Sequence, residues 1–365
     1  MDFSKAFDKV GHKRLLEKVT RYGITGRTHR WIENFLSNRK QRVVLDGEQS
    51  DTVPVTSGVP QGSVLGPCLF LLFINDLAQG LDSTVRLFAD DTIAYMVIGN
   101  GSDASHLQQD LDRLAHWEDL WQMQFHPEKC QVLRVSKKLK ANTLNHNYTL
   151  HGHTLEVVNN VKYLGVTMSG DLKWNTHVSN IVKKANSQLA MLKRNVRVPS
   201  KSVKSAAYTA LVRPHLEYSS SVWDPSTKCL KTKIEKVQRR SARWVCNKYK
   251  QGKDTTGPTQ MMSILGWPPL EARRKMARLT LLYKMANGKV LMTYRSLLTP
   301  YPYLTKSIPA GTYAYVPMDK MPLKVYYNSS FFPNTVADWN LLPEELLATV
   351  DSLETFKSSV SKVVV

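Results

Sequence analysis

The chain has 365 residues, 42% of them apolar and 9% aromatic, which is enough to bury more than one core and excludes a disordered tail. Lys and Arg number 50 against 30 Asp and Glu, so the formal charge is +20 and the pI near 9.7, and a polyanion, nucleic acid first, is the expected partner. No apolar run approaches the length of a bilayer span and no signal peptide follows Met1, so the expectation is a soluble intracellular protein of the nucleus or cytoplasm, not secreted and with no membrane partner.

Taken in chain order, Asp2-Phe3-Ser4-Lys5-Ala6-Phe7-Asp8 comes first, ahead of a helix from His12 to Arg21 for which Asp8 is read as a turn residue or N-cap. Gln41 to Leu45 reads as a short strand. Ser57-Gly58-Val59-Pro60-Gln61-Gly62-Ser63-Val64-Leu65-Gly66-Pro67 carries three glycines and two prolines, the composition of a constrained loop that lets backbone approach a ligand, and it leads into a helix from about Cys68 to Ala78. Val85 to Ala89 and Thr92 to Val97 read as strands, with Asp90 and Asp91 at the tip between them. Ser105 to Phe125 has Leu107, Leu111, Leu114 and Trp121 at helical spacing and Pro127 beyond its end, an amphipathic helix laid on a sheet; Gln131 to Val135 is a further strand.

From Val178 the period becomes helical throughout. Val178, Ile181, Val182, Ala185, Leu189 and Leu192 form one apolar stripe, with Lys183, Lys184, Lys193 and Arg194 off it. A helix from Lys231 to Tyr249 turns Leu230, Ile234, Val237 and Val245 inward and leaves Lys233, Lys236, Arg239, Arg240 and Arg243 as a basic face suited to phosphates. Glu271 to Asn287 reads as a third basic helix, with Arg273, Arg274, Lys275 and Arg278 early. The expected class is α+β in three parts: 1–166 mixed, 167–290 helical and basic, and 291–365 an aromatic, Pro-rich tail of unassigned role. Cys68, Cys130, Cys229 and Cys246 are far apart and match no zinc spacing, so neither disulfide nor structural zinc is expected.

Adjacent residues on a strand point to opposite faces, so Asp90 and Asp91 share a cation only if a tight turn brings them round. Two carboxylates so crowded repel unless divalent metal compensates them. Chemistry by two metals also needs a carboxylate from a separate element, for which Asp2 is a candidate. Taken alone, the Asp-Asp pair is a common surface-turn dipeptide, Phe7 an ordinary core residue and Lys129 an ordinary solvated lysine. Trp117, Trp121, Trp174, Trp223, Trp244 and Trp339 are read mostly as packing, with base stacking open to some of them.

Together and in this order, the Asp2 to Asp8 segment, the Ser57 to Pro67 loop and Leu87-Phe88-Ala89-Asp90-Asp91-Thr92 resemble reverse transcriptases of non-LTR, LINE-type, jockey-like retrotransposons. Val161-Lys162-Tyr163-Leu164-Gly165-Val166 is similar to the family's primer grip, and Leu211-Val212-Arg213-Pro214-His215-Leu216-Glu217-Tyr218 to a phrase of its thumb. The resemblance implies a right-hand palm followed by a helical thumb. It also implies RNA-directed DNA polymerase chemistry with two Mg²⁺ ions, Mn²⁺ being the alternative, and an RNA template, a DNA primer and dNTPs as partners. On that pattern Asp2 and Asp90 bridge both ions and Asp91 is the less central ligand. Phe7 packs under the incoming sugar and excludes a 2′-hydroxyl, Gln61 and Gly62 meet the nucleotide or template, and Lys129 of His126-Pro127-Glu128-Lys129-Cys130 serves the leaving pyrophosphate. His126 departs from the family's Asn. Only Met1 precedes Asp2, so fingers are expected to be missing, Asp2 to sit loosely without its strand, and the chain to be an N-terminally truncated product. Two other classes remain open: an inactive RNA- or ribonucleoprotein-binding relic, and a metal-dependent nuclease, which leaves Phe7 and the Gly58 to Pro67 loop unexplained.

Overall fold

The computed structural model describes residues 1–136, 146–197, 200–247, 257–290, 298–300, 313–315, 330–343, 346 and 352–364. The chain forms two compact units, Met1–Leu164 and Gly165–Val365. The first mixes helices and short strands and the second is mainly helical, an α+β composition.

In the first unit, His12–Arg21 (α1) packs on both Gly26–Leu36 (α2) and Leu65–Ile74 (α3). Leu15 and Val19 of α1, Ile32 and Leu36 of α2 and Leu69, Phe70 and Phe73 of α3 are buried together, the inward stripes of three short amphipathic helices. The α1 N-cap is Gly11, not Asp8, which instead closes a one-turn 3₁₀ segment, Ala6–Asp8. Between α2 and α3, Lys40–Gln41 (β1) pairs antiparallel with Val53–Pro54 (β4), enclosing Val44–Leu45 (β2) paired with Glu48–Gln49 (β3). The expected strand at 41–45 is thus split in two, and every residue from 40 to 54 is exposed.

Thr84–Phe88 (β5) and Asp91–Tyr95 (β6) form an antiparallel hairpin. The long helix that follows is Gly101–Trp121 (α4), set four residues earlier than its apolar spacing implies. The cause is a capping box: the Asn100 side chain accepts from the Asp103 amide while the Asp103 carboxylate accepts from the Asn100 amide, so the helix starts there. Gln122, at φ +54°, ends it in the left-handed region and frees Met123 to Phe125 as extended chain. Gln131–Leu133 (β7) runs parallel to Glu156–Val158 (β10), and Thr149–Leu150 (β8) pairs antiparallel with His153–Thr154 (β9). The first unit's strands thus form short pairs rather than one broad antiparallel sheet.

In the second unit, Asn175–Asn195 (α5) packs along Lys228–Val245 (α9), with Lys201–Leu211 (α6), Arg213–Glu217 (α7), Ser220–Trp223 (α8) and Pro258–Ile264 (α10) around them. Val182, Leu189, Tyr208, Trp223, Ile234 and Val237 fill that core. Leu270–Ala286 (α11) reaches a further core in which Leu279, Leu282 and Tyr283 meet Trp339 and Phe356 of the helices Phe331–Asn340 and Leu353–Val364. No helix of the described residues is long and apolar enough to cross a membrane.

Candidate active site

The β5–β6 register pairs Phe88 with Asp91, which leaves a two-residue loop of Ala89 and Asp90. Two-residue hairpin loops take a positive φ that matches strand twist, and glycine or asparagine usually supplies it. Here Ala89 does so at φ +51°, at a conformational cost of about 1–2 kcal/mol for a residue with a Cβ. Strain of this kind gathers at working sites, and it lies immediately before Asp90. Asp90 is half-buried in the loop and Asp91, the first residue of the return strand, is exposed.

Asp2 is held more firmly than a terminal stub implies. The Met1 nitrogen donates to the Thr92 carbonyl (2.7 Å) and the Thr92 amide returns a longer bond to the Met1 carbonyl (3.4 Å), which lays Met1 beside β6. On the other side the Ser4 amide donates to Gln124 (2.9 Å) and the His126 amide to the Asp2 carbonyl (2.8 Å), around a bridge between Phe3 and Phe125. Phe3 is 4% exposed and stacks on Phe125 at 4.0 Å between ring centres. Against the expected looseness, backbone on both flanks pairs with Met1 to Ser4, and the Phe3 ring is buried. Asp2 thereby sits on chain that is hydrogen-bonded to the strand beginning at Asp91.

The glycine-rich loop packs over the Phe7–Asp8 turn. The Gly58 amide donates to Val10 (2.8 Å) and the Val59 amide to Phe7 (2.8 Å), and His12 Nε2 lies 2.8 Å from the Gly58 carbonyl. Gly58 has φ +89°, and a Cβ there would meet the Asp8 carbonyl oxygen at 2.8 Å, so only glycine fits. Gln61 Nε2 donates to Asp8 Oδ1 (2.9 Å), and Phe7 stacks on Phe70 of α3 at 4.3 Å. Gly62 is exposed, with φ +79° and open space where a side chain would be.

Lys129 Nζ lies 3.9 Å from Asp2 Oδ2, both side chains well exposed. Burial, and after it the negative charge of Asp91, push the Tyr163 phenol above its ordinary range, which sets Tyr163 beside the hairpin. Beneath the Asp2 flank, the buried Glu118 of α4 accepts from the Phe125 amide and pairs with His151 Nε2 at 2.7 Å. Burial drives the Glu118 carboxyl upward, opposed by those two bonds. Sequence reading had no signal for Glu118 or His151, because nothing local ties 118, 125 and 151 together.

Residues 1–168 match the family described as reverse transcriptase (RNA-dependent DNA polymerase). The match shows a reverse transcriptase domain over these residues, a little under half of the chain. It is 28% identical over 255 residues to the RNA-directed DNA polymerase from mobile element jockey of Drosophila melanogaster, covering 67% of this chain and 27% of that protein. Over 277 residues it is 28% identical to the probable RNA-directed DNA polymerase from transposon BS of the same fly, covering 69% of this chain and 29% of that protein. A type-1 retrotransposable element R1 Pol polyprotein of Nasonia vitripennis is 24% identical over 229 residues, 59% of this chain and 66% of that protein. The chain thus spans little more than a quarter of the two fly proteins' length.

Reverse transcriptases use divalent metal ions on an RNA template with a primer and dNTPs. The donors present suit such ions: three carboxylates are hard, oxygen-only ligands, the kind that Mg²⁺ and Mn²⁺ take. Among the described residues, however, no three acidic, imidazole or thiol side chains converge as a ready-made metal cluster. The backbone brings Asp2 beside β6.

In the second unit Lys233, Lys236, Arg239 and Arg240 are exposed along α9 and Arg243 is half-buried. Lys233 Nζ donates to Ser179 Oγ (2.8 Å) and Arg240 to Asn186 Oδ1 (2.6 Å), so two of the five are braced by α5. Residues 248–249, at the end of the expected helix, lie outside the described residues. The expected third basic helix is α11, Leu270–Ala286, but its early cations are engaged by acids rather than free. Arg274 (1% exposed) and Arg278 (6%) are buried against Asp224, Arg278 and Lys275 reach Asp338, and Arg273 pairs with Glu217. Helical spacing shows where charges cluster but not whether acids from distant segments meet them. Of the six tryptophans considered for stacking, Trp121, Trp223, Trp244 and Trp339 are buried.

Proposed function

We propose that this chain supplies the palm and a thumb-like unit of an RNA-directed DNA polymerase of the jockey-like, non-LTR class, which joins dNTPs to a primer 3′-hydroxyl on an RNA template. The observation that carries the reading is the arrangement of Asp2 and the Asp90–Asp91 hairpin, two separate elements hydrogen-bonded through Met1 and Thr92. Asp2 and Asp90 would be the principal ligands of two divalent ions and Asp91 the less central one. Two divalent ions, Mg²⁺ or Mn²⁺, when bound there acidify the primer hydroxyl and neutralise the leaving pyrophosphate.

The chain's own groups divide the remaining work. Phe7, fixed by its stack on Phe70, presents a bulky wall to the sugar and disfavours a 2′-hydroxyl. Gln61, held by a single side-chain bond to Asp8, would turn to meet the nucleotide or template. Gly62 adds no side chain to obstruct a template strand. Lys129 near Asp2 is placed to hold the pyrophosphate's charge or to donate a proton to it. Lys233, Lys236, Arg239, Arg240 and Arg243 hold phosphates of the template–primer duplex without reading its sequence. The net charge of +20 supports residence with nucleic acid, in the nucleus and/or cytoplasm.

Steady dNTP incorporation on a primed RNA with Mg²⁺, abolished by Asp90→Asn, is the expected result. Salt-sensitive RNA binding without incorporation, unchanged by Asp90→Asn, refutes catalysis and leaves an RNA-binding relic. Cleavage without dNTPs indicates a nuclease.

A further inference from the structure

The outer face of α2 carries aromatic and cationic side chains that the site above does not use. Ile32 (6% exposed) and Leu36 (0%) form its inward stripe, so Trp31 points outward and is 54% exposed. Trp31 stacks on Phe35 one turn later, with ring planes 11° apart and centres 5.6 Å apart. The helix ends at Ser37, the backbone turns through Asn38 at φ +56°, and the Arg39 guanidinium folds back to 5.6 Å from the centre of the Phe35 ring. The result is a column, Arg39 on Phe35 on Trp31, whose terminal indole is 54% exposed.

The surroundings of the column are cationic. Arg27 lies one turn before Trp31 on the same stripe, Arg30 beside it, and Lys40 and Arg42 follow Arg39. Among the described residues none of Arg27, Arg30, Lys40 and Arg42 makes an ion pair, and Glu33 is the single acid on the helix. An exposed aromatic stack flanked by cations that form no ion pair among the described residues suits something flat and anionic. Exposed apolar residues on the neighbouring ribbon, Val44 at 57% and Leu45 at 70%, are compatible with a protein partner. The cations flanking the indole favour a polyanion instead.

We infer that this face of α2 is a stacking platform for single-stranded RNA, in which a base stacks on the exposed Trp31 while Arg27 and Arg30 hold the adjoining phosphates. Every base has a π face and every nucleotide a phosphate, so the platform is tolerant of sequence. In a duplex the bases are stacked on one another and unavailable, so the site discriminates single strands from double. The inference goes beyond the proposed polymerase reading and does not depend on catalysis, because its readout is binding without dNTPs.

The test uses the full chain and a fluorescein-labelled single-stranded RNA of about 20 nucleotides in mixed sequence, long enough to cover such a site, with the blunt duplex of the same sequence as comparison. Fluorescence anisotropy is expected to show single-strand affinity reduced about 10-fold by Trp31→Ala, within about 3-fold of wild type for Trp31→Phe, and duplex affinity unchanged in both. Arg27→Glu/Arg30→Glu is expected to lower the slope of log affinity against log salt by about 1.4, as about 0.7 is lost for each of two single-strand phosphate contacts. Trp31 is exposed, so circular dichroism of the variants should match wild type, and Trp31→Phe with intact affinity guards against misfolding. Equal single-strand affinity for wild type and Trp31→Ala overturns the inference. So does a Trp31→Ala defect confined to phosphatidylserine vesicles, or to self-association seen by light scattering, with RNA affinity unaltered.

Discussion

Gly58→Ala tests whether the glycine-rich loop is locked onto the Phe7–Asp8 turn. The new methyl would stand 2.8 Å from the Asp8 carbonyl oxygen and 2.9 Å from both Asp8 Cα and the Phe7 carbonyl oxygen, all backbone atoms that no rotamer change relieves. Left-handed backbone costs a residue with a Cβ about 1–2 kcal/mol. Overpacking adds about 1–3 kcal/mol, and reduced freedom of the unfolded chain returns about 0.4–1 kcal/mol. The net expectation is a loss of about 2–4 kcal/mol. Gly62→Ala is the internal comparison: its φ of +79° is similar but nothing lies within 4 Å, so only the conformational cost of about 1 kcal/mol remains. Urea unfolding gives the size, and hydrogen exchange at the Val59 amide, which donates to Phe7, gives the location. If Gly58→Ala costs no more than Gly62→Ala and the Val59 amide stays protected, the loop is not locked as described and the reasoning fails.

Lys18 of α1 is 1% exposed, bonded at 2.5 Å to Asp76 and to the Phe73 carbonyl and stacked 3.8 Å from the Trp121 ring centre; burial lowers its pKa to about 8 from an ordinary 10.5. The unfolded chain therefore holds this proton more tightly than the fold. Wild type should gain about 3 kcal/mol relative to Lys18→Met as pH rises from about 8 to about 10.5, read by denaturant unfolding at each pH; a flat difference refutes the assignment. Mg²⁺ or Mn²⁺ should raise the melting temperature of wild type but not of Asp90→Asn, and equal shifts in both would move the metal away from the hairpin. Phe3→Ala, which empties a ring stacked on Phe125, should cost about 3–5 kcal/mol and accelerate exchange at the His126 amide, which reports on the Asp2 flank. Asp224→Asn leaves Arg274 and Arg278 buried without their carboxylate and should destabilise the second unit by about 3–5 kcal/mol in thermal or urea unfolding; a loss under 1 kcal/mol would show that the other partners suffice.

The sequence alone determined what depends on short spans. Glycines and prolines at 58–67 marked a constrained loop, β-type runs on either side of Asp90 and Asp91 implied a hairpin, and apolar residues at helical spacing located α1, α5, α9 and α11. These are legible because backbone preference and hydrophobic period act over a few residues, and the loop and hairpin motifs also carried the family resemblance. The boundaries of α4 were less legible, because Asn100 and Asp103 outvoted the apolar stripe at its start.

Tertiary structure decided which distant groups meet. Asp2 is firm because Thr92, Gln124 and His126 flank it, and Glu118 supports that flank because His151 and Phe125 arrive from separate segments. The cations of α11 turn inward because Asp224 and Asp338 are there to receive them, whereas those of α2 form no ion pair among the described residues and stay at the surface around Trp31. A charge or an aromatic ring in a sequence has no face of its own. Its role follows from what the fold brings within a few ångströms, and that is a long-range property of the chain.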